Sequence, residues 1–275
     1  MRIIVTGGNS GVGRATASAM AAAGHQVLIA CRTVEKGEEA AAAMTGDVAV
    51  RYLDLADLAS VRKFADQVDC VDVLVNNAGV LGLPLTRTTD GFEAHMGTNH
   101  LGHFALTCLL GDRIRDRIVV VASSNYALAR IQFDDLNWQH RRYNMWSAYG
   151  ESKLANLLFV AELARRGRRA YASDPGMTAT DITRDGTGVL RWAGKTLAPH
   201  IAQSPANGAR STIQAITTDL PSGTYIAPRG LFHQWGKPKP TKLLAKARDP
   251  QSARRLWNLS AELTGCDWNT IKEAV

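Results

Sequence analysis

Six short β-branched runs, each followed by a longer helical pattern, limit what this chain can fold into. The runs at 2–6, 26–31, 48–53, 72–76, 117–122 and 169–173 are mostly Val, Ile, Leu and Ala, with little polar alternation. A strand that wets one face alternates polar and apolar residues, so runs without alternation read as strands buried on both faces. Helical patterns at 12–23, 34–44, 57–68, 91–110, 147–166 and 206–218 separate them. This order predicts an α/β protein, one doubly wound parallel sheet with helices on both faces. A further strand over 224–226 and a last helix around 249–264 extend it. No linker or repeat interrupts the pattern, so residues 1–275 read as a single domain, and 275 residues suffice for one large core.

The first strand runs into Thr6-Gly7-Gly8-Asn9-Ser10-Gly11-Val12-Gly13, where a helix begins. Glycines permit a tight turn and close backbone approach, and a helix N-terminus offers unpaired N–H groups to a pyrophosphate. The spacing is Gly-x-x-x-Gly-x-Gly, not the common dinucleotide fingerprint, and its strand–turn–helix setting supports a nucleotide site. At the end of the second strand a site for NAD usually presents an acid to the ribose, whereas this chain presents Arg32. A guanidinium suits a 2′-phosphate, which favours NADP over NAD. Asp54-Leu55 closes the third strand, where a carboxylate can accept from an adenine amino group. Asn76-Asn77-Ala78-Gly79 closes the fourth and fits either a turn beneath a cofactor or an ordinary Asn-Gly-type turn.

Tyr149 and Lys153 lie four residues apart, one helical turn from each other on a single face. A free phenol titrates at about 10, so a neighbouring ammonium favours the phenolate. Alone the pair fits many solvated helices. Tyr143 stands nearby without a lysine four residues on.

The formal charge of +7 invites a nucleic-acid reading, yet the arginines are dispersed, with no basic block interleaved with aromatics. Cys31, Cys70, Cys108 and Cys266 have neither metal nor disulfide spacing, and His100 and His103 lack ligand partners, so no metal is expected. The first strand begins almost at the first residue and no apolar run reaches membrane-spanning length, so a soluble cytoplasmic protein without a membrane anchor is expected.

In order, Thr6-Gly7…Gly11-Val12-Gly13, Asn76-Asn77-Ala78-Gly79, a serine after the fifth strand, Tyr149…Lys153 and Pro175-Gly176 resemble the short-chain dehydrogenase/reductase family over nearly the whole chain. The resemblance implies a Rossmann fold. Asn99-His100-Leu101-Gly102-His103-Phe104, Arg130-Ile131 with Asp135-Leu136, Ser152-Lys153-Leu154-Ala155-Asn156 and Leu256-Trp257…Ser260…Leu263-Thr264-Gly265 are most similar to its retinol dehydrogenase and WW-domain-oxidoreductase-like branch.

The resemblance further implies a catalytic tetrad of Asn99, Ser123, Tyr149 and Lys153. Tyr149 exchanges a proton with the substrate oxygen, Lys153 supports the phenolate and the ribose, Ser123 polarises the carbonyl, and Asn99 holds a backbone kink or water. An ungapped count from Arg117 to Arg130 selects Ser123 over its neighbour Ser124. The implied cofactor site comprises Gly7, Asn9, Ser10, Gly11, Val12 and Gly13, then Arg32, Asp54, Leu55, Asn76, Ala78 and Gly79, with Tyr149 and Lys153. Pro175, Gly176, Met177 and Thr180 complete it around the nicotinamide. Asp174 stands where the branch often has histidine. A substrate lid is expected around 178–205. Trp257 is expected to pack on the body of the protein.

The expected function is an NADP-dependent oxidoreductase interconverting a carbonyl and an alcohol on a small, fairly apolar substrate. The alternatives are an NAD-preferring dehydrogenase and a non-catalytic NADP-binding sensor or scaffold. Relatives pair through helices like 91–110 and 147–166, and the sequence leaves homodimer and homotetramer open. The resemblance does not extend to a retinoid substrate or membrane attachment.

Overall fold

A computed structural model describes residues 1–178 and 203–268. Eight strands form one sheet in the order β3-β2-β1-β4-β5-β6-β7-β8. They are β1 (Arg2–Thr6), β2 (Gln26–Cys31), β3 (Val48–Tyr52), β4 (Val71–Asn76), β5 (Ile114–Val121), β6 (Ala170–Ser173), β7 (Tyr225–Pro228) and β8 (Pro238–Thr241). The first seven pair in parallel, and β8 closes the edge antiparallel to β7.

Alternate residues of each apolar strand enter different cores. Ile3, Val5, Val73, Val75 and Val119 pack on one face with Ala17 and Met20 of α1 (Gly11–Ala22) and Ala215 and Ile216 of α7 (Pro205–Thr217). Ile4, Leu74, Ile118 and Val120 face the other layer. That layer holds α3 (Leu58–Asp66), α5 (Gly102–Leu110), α6 (Met145–Arg165) and α8 (Pro250–Thr264). Both faces of the inner strands are dry, which is why their runs lack polar alternation, whereas the edge strand β3, expected to be buried on both faces, has no buried residue. The helix α2 (Val34–Ala42) lies between β2 and β3 in the chain.

Two further elements differ from expectation. The helix over 91–110 begins later, as a short α4 (Ala94–Met96) capped by Glu93, whose carboxylate accepts from the His95 and Met96 N–H groups at 3.1 and 2.8 Å. A π-turn at Gly97–Leu101 then interrupts it before α5. The second is β8, whose Pro238 and Pro240 obscure a strand pattern. Proline is tolerated there because an edge strand need not donate on its outer side.

Trp257 of α8 is buried against Phe104 and Phe159, with ring centroids 5.0 and 5.8 Å away, and the Arg166 guanidinium lies over its ring at 3.8 Å from the centroid. No helix among the described residues is long and apolar enough to cross a membrane.

Candidate active site

The carboxyl ends of β1, β2, β4, β5 and β6 open into one cleft of about 550 Å³. At one end, Gly7 adopts a left-handed φ of 65° and donates to the Ala30 carbonyl at 2.8 Å, turning the chain into α1. A Cβ on Gly13 would collide with the Gly7 carbonyl and the Asn77 amide, so only glycine lets this turn close against β4. The α1 N-terminus then faces the cleft with Ser10, Gly11 and Val12 on its lining and no side-chain cap on its N–H groups. A turn this tight, opening onto a helix N-terminus, fits a dinucleotide pyrophosphate.

Thr6 organises the neighbouring turn. Its hydroxyl accepts from the Asn77 and Ala78 N–H groups at 2.8 and 2.9 Å. It lies 2.8 Å from His103 Nε2, while His103 Nδ1 is 3.0 Å from the Asn99 carbonyl. The carbonyl makes Nδ1 the protonated nitrogen, so Nε2 accepts from Thr6. Burial holds His103 neutral, its pKa lowered to about 3, and it is a structural histidine.

Of the expected cofactor residues, Gly7, Asn9, Ser10, Gly11, Val12, Gly13, Arg32, Asp54, Leu55, Ala78, Gly79, Pro175, Gly176 and Met177 line the cleft, as do Tyr149 and Lys153. Asn76 is a correction. It is the last residue of β4, its side chain is buried on the α5 side, and Nδ2 donates to Thr107 Oγ1 at 2.9 Å. The next residue, Asn77, points the other way, lines the cleft, and ties β4 to β1 through Nδ2 and the Thr6 carbonyl at 2.7 Å. Thr180 and most of the expected lid lie outside the described residues.

Asn99 sits in the π-turn behind the cleft wall. Its Oδ1 accepts from Val80 N at 2.8 Å, and Nδ2 donates to the Val80 carbonyl at 3.1 Å and Ser152 Oγ at 3.0 Å. It therefore ties the loop after β4 to the middle of α6.

Tyr149, Lys153 and Ser123 meet at the centre of the cleft. Ser123 is the serine whose side chain acts on the Tyr149 phenol and lowers its pKa, while its Oγ accepts from Asn125 N at 3.4 Å. Ser124 Oγ instead accepts from Gln234 Nε2 at 3.0 Å. Lys153 is 2 % exposed, with Nζ 5.6 Å from the Tyr149 ring centroid, and burial lowers its pKa to about 8. Burial pushes the Tyr149 phenol well above its ordinary value, the Ser123 side chain pulls it back, and Asp174 pushes it further up. Burial thus favours the neutral phenol, against the pull of the neighbouring ammonium toward the phenolate.

Trp146, Val80, Leu81, Thr98 and Gln234 also line the cleft and were not expected, and Thr178, the first residue of the expected lid, lines it too. Only Asn77, inside the quoted asparagine–glycine motif, carried a sequence signal.

The sequence model of the short chain dehydrogenase family matches residues 1–187. This chain belongs to that family. Mouse (Mus musculus) retinol dehydrogenase 12 is 41 % identical over 287 residues, covering 97 % of this chain and 87 % of the relative. Human (Homo sapiens) retinol dehydrogenase 13 is 40 % identical over 296 residues, covering 98 % and 86 %. These place the chain in the retinol dehydrogenase-like branch of the short-chain dehydrogenases. A crystal structure of an uncharacterized protein from Mycobacterium Paratuberculosis is 44 % identical, with TM-score 0.85 over 97 % of this chain and 94 % of that one. The closed form of serine dehydrogenase complexed with NADP⁺, 21 % identical with TM-score 0.63 over 82 % of this chain and 92 % of that one, shares the fold. This short-chain dehydrogenase is an NAD(P)-dependent oxidoreductase acting on alcohol and carbonyl groups.

Proposed function

We propose that the enzyme is NADP-dependent and reduces a carbonyl on a small, fairly apolar substrate, with the alcohol oxidation as its reverse. The observation that carries this reading is the meeting of a buried neutral phenol, a serine hydroxyl and a buried lysine in a cleft whose far end is a glycine turn flanked by Arg32. A bound nicotinamide dinucleotide supplies the hydride. Tyr149 gives the proton to the substrate oxygen, and Ser123 donates a hydrogen bond to that oxygen as charge develops on it. Lys153 places positive charge beside the phenol and favours the phenolate left after proton transfer. Asn99 acts behind these groups by holding the π-turn and α6 in register.

Arg32 lines the cleft beyond the end of β2, and a guanidinium can bind a 2′-phosphate bidentately. The apolar substrate class rests on Trp146, Val80, Leu81 and Met177 in the cleft wall.

Intrinsic tryptophan fluorescence, titrated separately with NADPH and NADH, tests the cofactor. NADPH should bind at least about tenfold tighter, and Arg32→Ala should erase that preference, a charged contact being worth about 1.5–3 kcal/mol. Equal binding of the two cofactors by the wild type would remove NADP from the reading. Failure to oxidise NADPH with any of a panel of apolar aldehydes and ketones would remove the reductase.

A further inference from the structure

Glu93 makes more bonds than a helix cap needs, and the additional ones converge behind Tyr149. Its fully buried carboxylate accepts from the His95 and Met96 N–H groups as the cap of α4. Oε1 also lies 2.7 Å from Nδ1 of the His95 ring and accepts from the Tyr143 hydroxyl at 3.0 Å. Burial pushes the Glu93 carboxyl up, but the bonds from His95 and Met96 outweigh it and hold the group below its ordinary value. A carboxylate has no proton to give, so Nδ1 carries the hydrogen and donates it. The second torsion of a histidine side chain is otherwise broad, and this bond sets the tilt of the ring.

The ring held in this way packs on Tyr149. The two ring centroids are 6.2 Å apart with the planes at 75°, an edge-to-face contact. His95 is itself fully buried, and its Nε2 has no hydrogen-bond partner among the described residues. An apolar ring would fill the same space without leaving a buried nitrogen unpaired. What the imidazole adds is the Nδ1 bond and the fixed tilt.

Glu93 also anchors the segment that leads into α6. Its N–H donates to Asn137 Oδ1 at 2.9 Å, and Tyr143 closes the other end on Oε1. Between them Arg141 grips Glu151 of α6 through two bonds of 2.7 and 2.8 Å. Residues 137–143 thus join Glu93 to α6 two residues beyond Tyr149.

We infer that His95 is a positioning residue: locked by Glu93 and Tyr143, its ring fixes the angle at which Tyr149 presents its hydroxyl to the substrate oxygen. This rests on the reading of Tyr149 as the proton donor. His95 is not among the residues lining the cleft and acts through the Tyr149 ring.

The test uses full-length wild type, His95→Ala and Tyr143→Phe. It combines NADPH titration with steady-state kinetics on the best carbonyl of the panel, in water and in heavy water. His95→Ala should lower kcat by about 30-fold, with the carbonyl KM and the NADPH affinity within about threefold of wild type. Its solvent isotope effect on kcat should exceed that of wild type, because a misdirected phenol slows the proton step. Tyr143→Phe should lower kcat by about fivefold with its melting temperature close to wild type. Loss of fold alone removes active enzyme and leaves the isotope effect where it was. Wild-type kcat in His95→Ala, or a lower kcat at the wild-type isotope effect, would overturn the positioning role. If that variant does not fold, unchanged kcat in Tyr143→Phe overturns it instead. A wild type that binds NADPH but reduces nothing in the panel sinks the catalytic reading separately. Crystal structures then judge the positioning role. A Tyr149 ring turned from its wild-type angle in a folded variant supports it, and an unmoved ring overturns it.

Discussion

Lys153 Nζ donates to the Val121 carbonyl at 3.1 Å, fastening the ammonium of α6 to the end of β5. Asn156, three residues on, donates to the same oxygen at 3.2 Å. A carbonyl at the end of a parallel strand is an unused acceptor, and two donors from one helix hold α6 at a fixed height above the sheet. Tyr149, one turn earlier, inherits that height.

The pH dependence of reduction follows from this lysine. Its pKa is lowered to about 8 by burial, so its charge is present below that value and lost above it. The rate kcat/KM should be level near neutrality and fall about tenfold per pH unit on the alkaline side of 8. Lys153→Arg, which stays charged, should be slower overall but lack that limb. An identical limb in the arginine variant would assign it to another group.

Stability should fall in mild acid because of two histidines. Burial lowers His100 to about 4 and His103 to about 3, whereas a histidine in the unfolded chain titrates near 6.5. As pH falls below about 6.5 the unfolded chain takes up protons that the folded chain refuses, so unfolding is favoured. Urea unfolding at pH 7 and pH 5 should show the folded state weaker at pH 5 by about 3 kcal/mol. Equal urea midpoints at the two values would contradict this account.

The two adjacent serines should separate kinetically. Ser123→Ala removes the hydroxyl that acts on the Tyr149 phenol and should lower kcat by about 10² to 10³. Ser124→Ala removes only the bond from Gln234 and should cost less than about tenfold. Reversed sizes would move the reactive role to Ser124.

The attachment of α8 should depend on one indole. Trp257 fills the space between Phe104 of α5 and Phe159 of α6, and its Nε1 donates to Asp267 at 2.9 Å. Trp257→Ala should destabilise the protein by about 3–5 kcal/mol, read by chemical denaturation. A loss below about 1 kcal/mol would mean that α8 is held elsewhere.

Much of the fold was legible because its signals are local. Apolar runs buried on both faces, separated by helical periods, can only stack as a parallel sheet, and the observed β1 to β7 follow that order. What escaped were departures from regularity. The π-turn at Gly97–Leu101 reads as helix because its residues are helix-compatible. It is stabilised by bonds from Asn99 to Val80 and Ser152, far away in sequence. The strand β8 is hidden by two prolines that only an edge position permits.

At the candidate site the sequence by itself determined the residues whose spacing is their meaning: the glycine turn into α1, and Tyr149 one helical turn from Lys153. Only the tertiary structure decided orientation. Strand alternation turns Asn76 into the core and Asn77 into the cleft. Ser123 is set against the Tyr149 phenol, whereas Ser124 Oγ accepts from Gln234 Nε2. The structure also decided the charge environment, since burial raises the Tyr149 phenol and lowers Lys153, and Asp174 beyond β6 accepts from Tyr225 of β7. A phenol's tendency to give or keep its proton depends on burial and on charges brought close by folding, and neither is a property of neighbours in the chain.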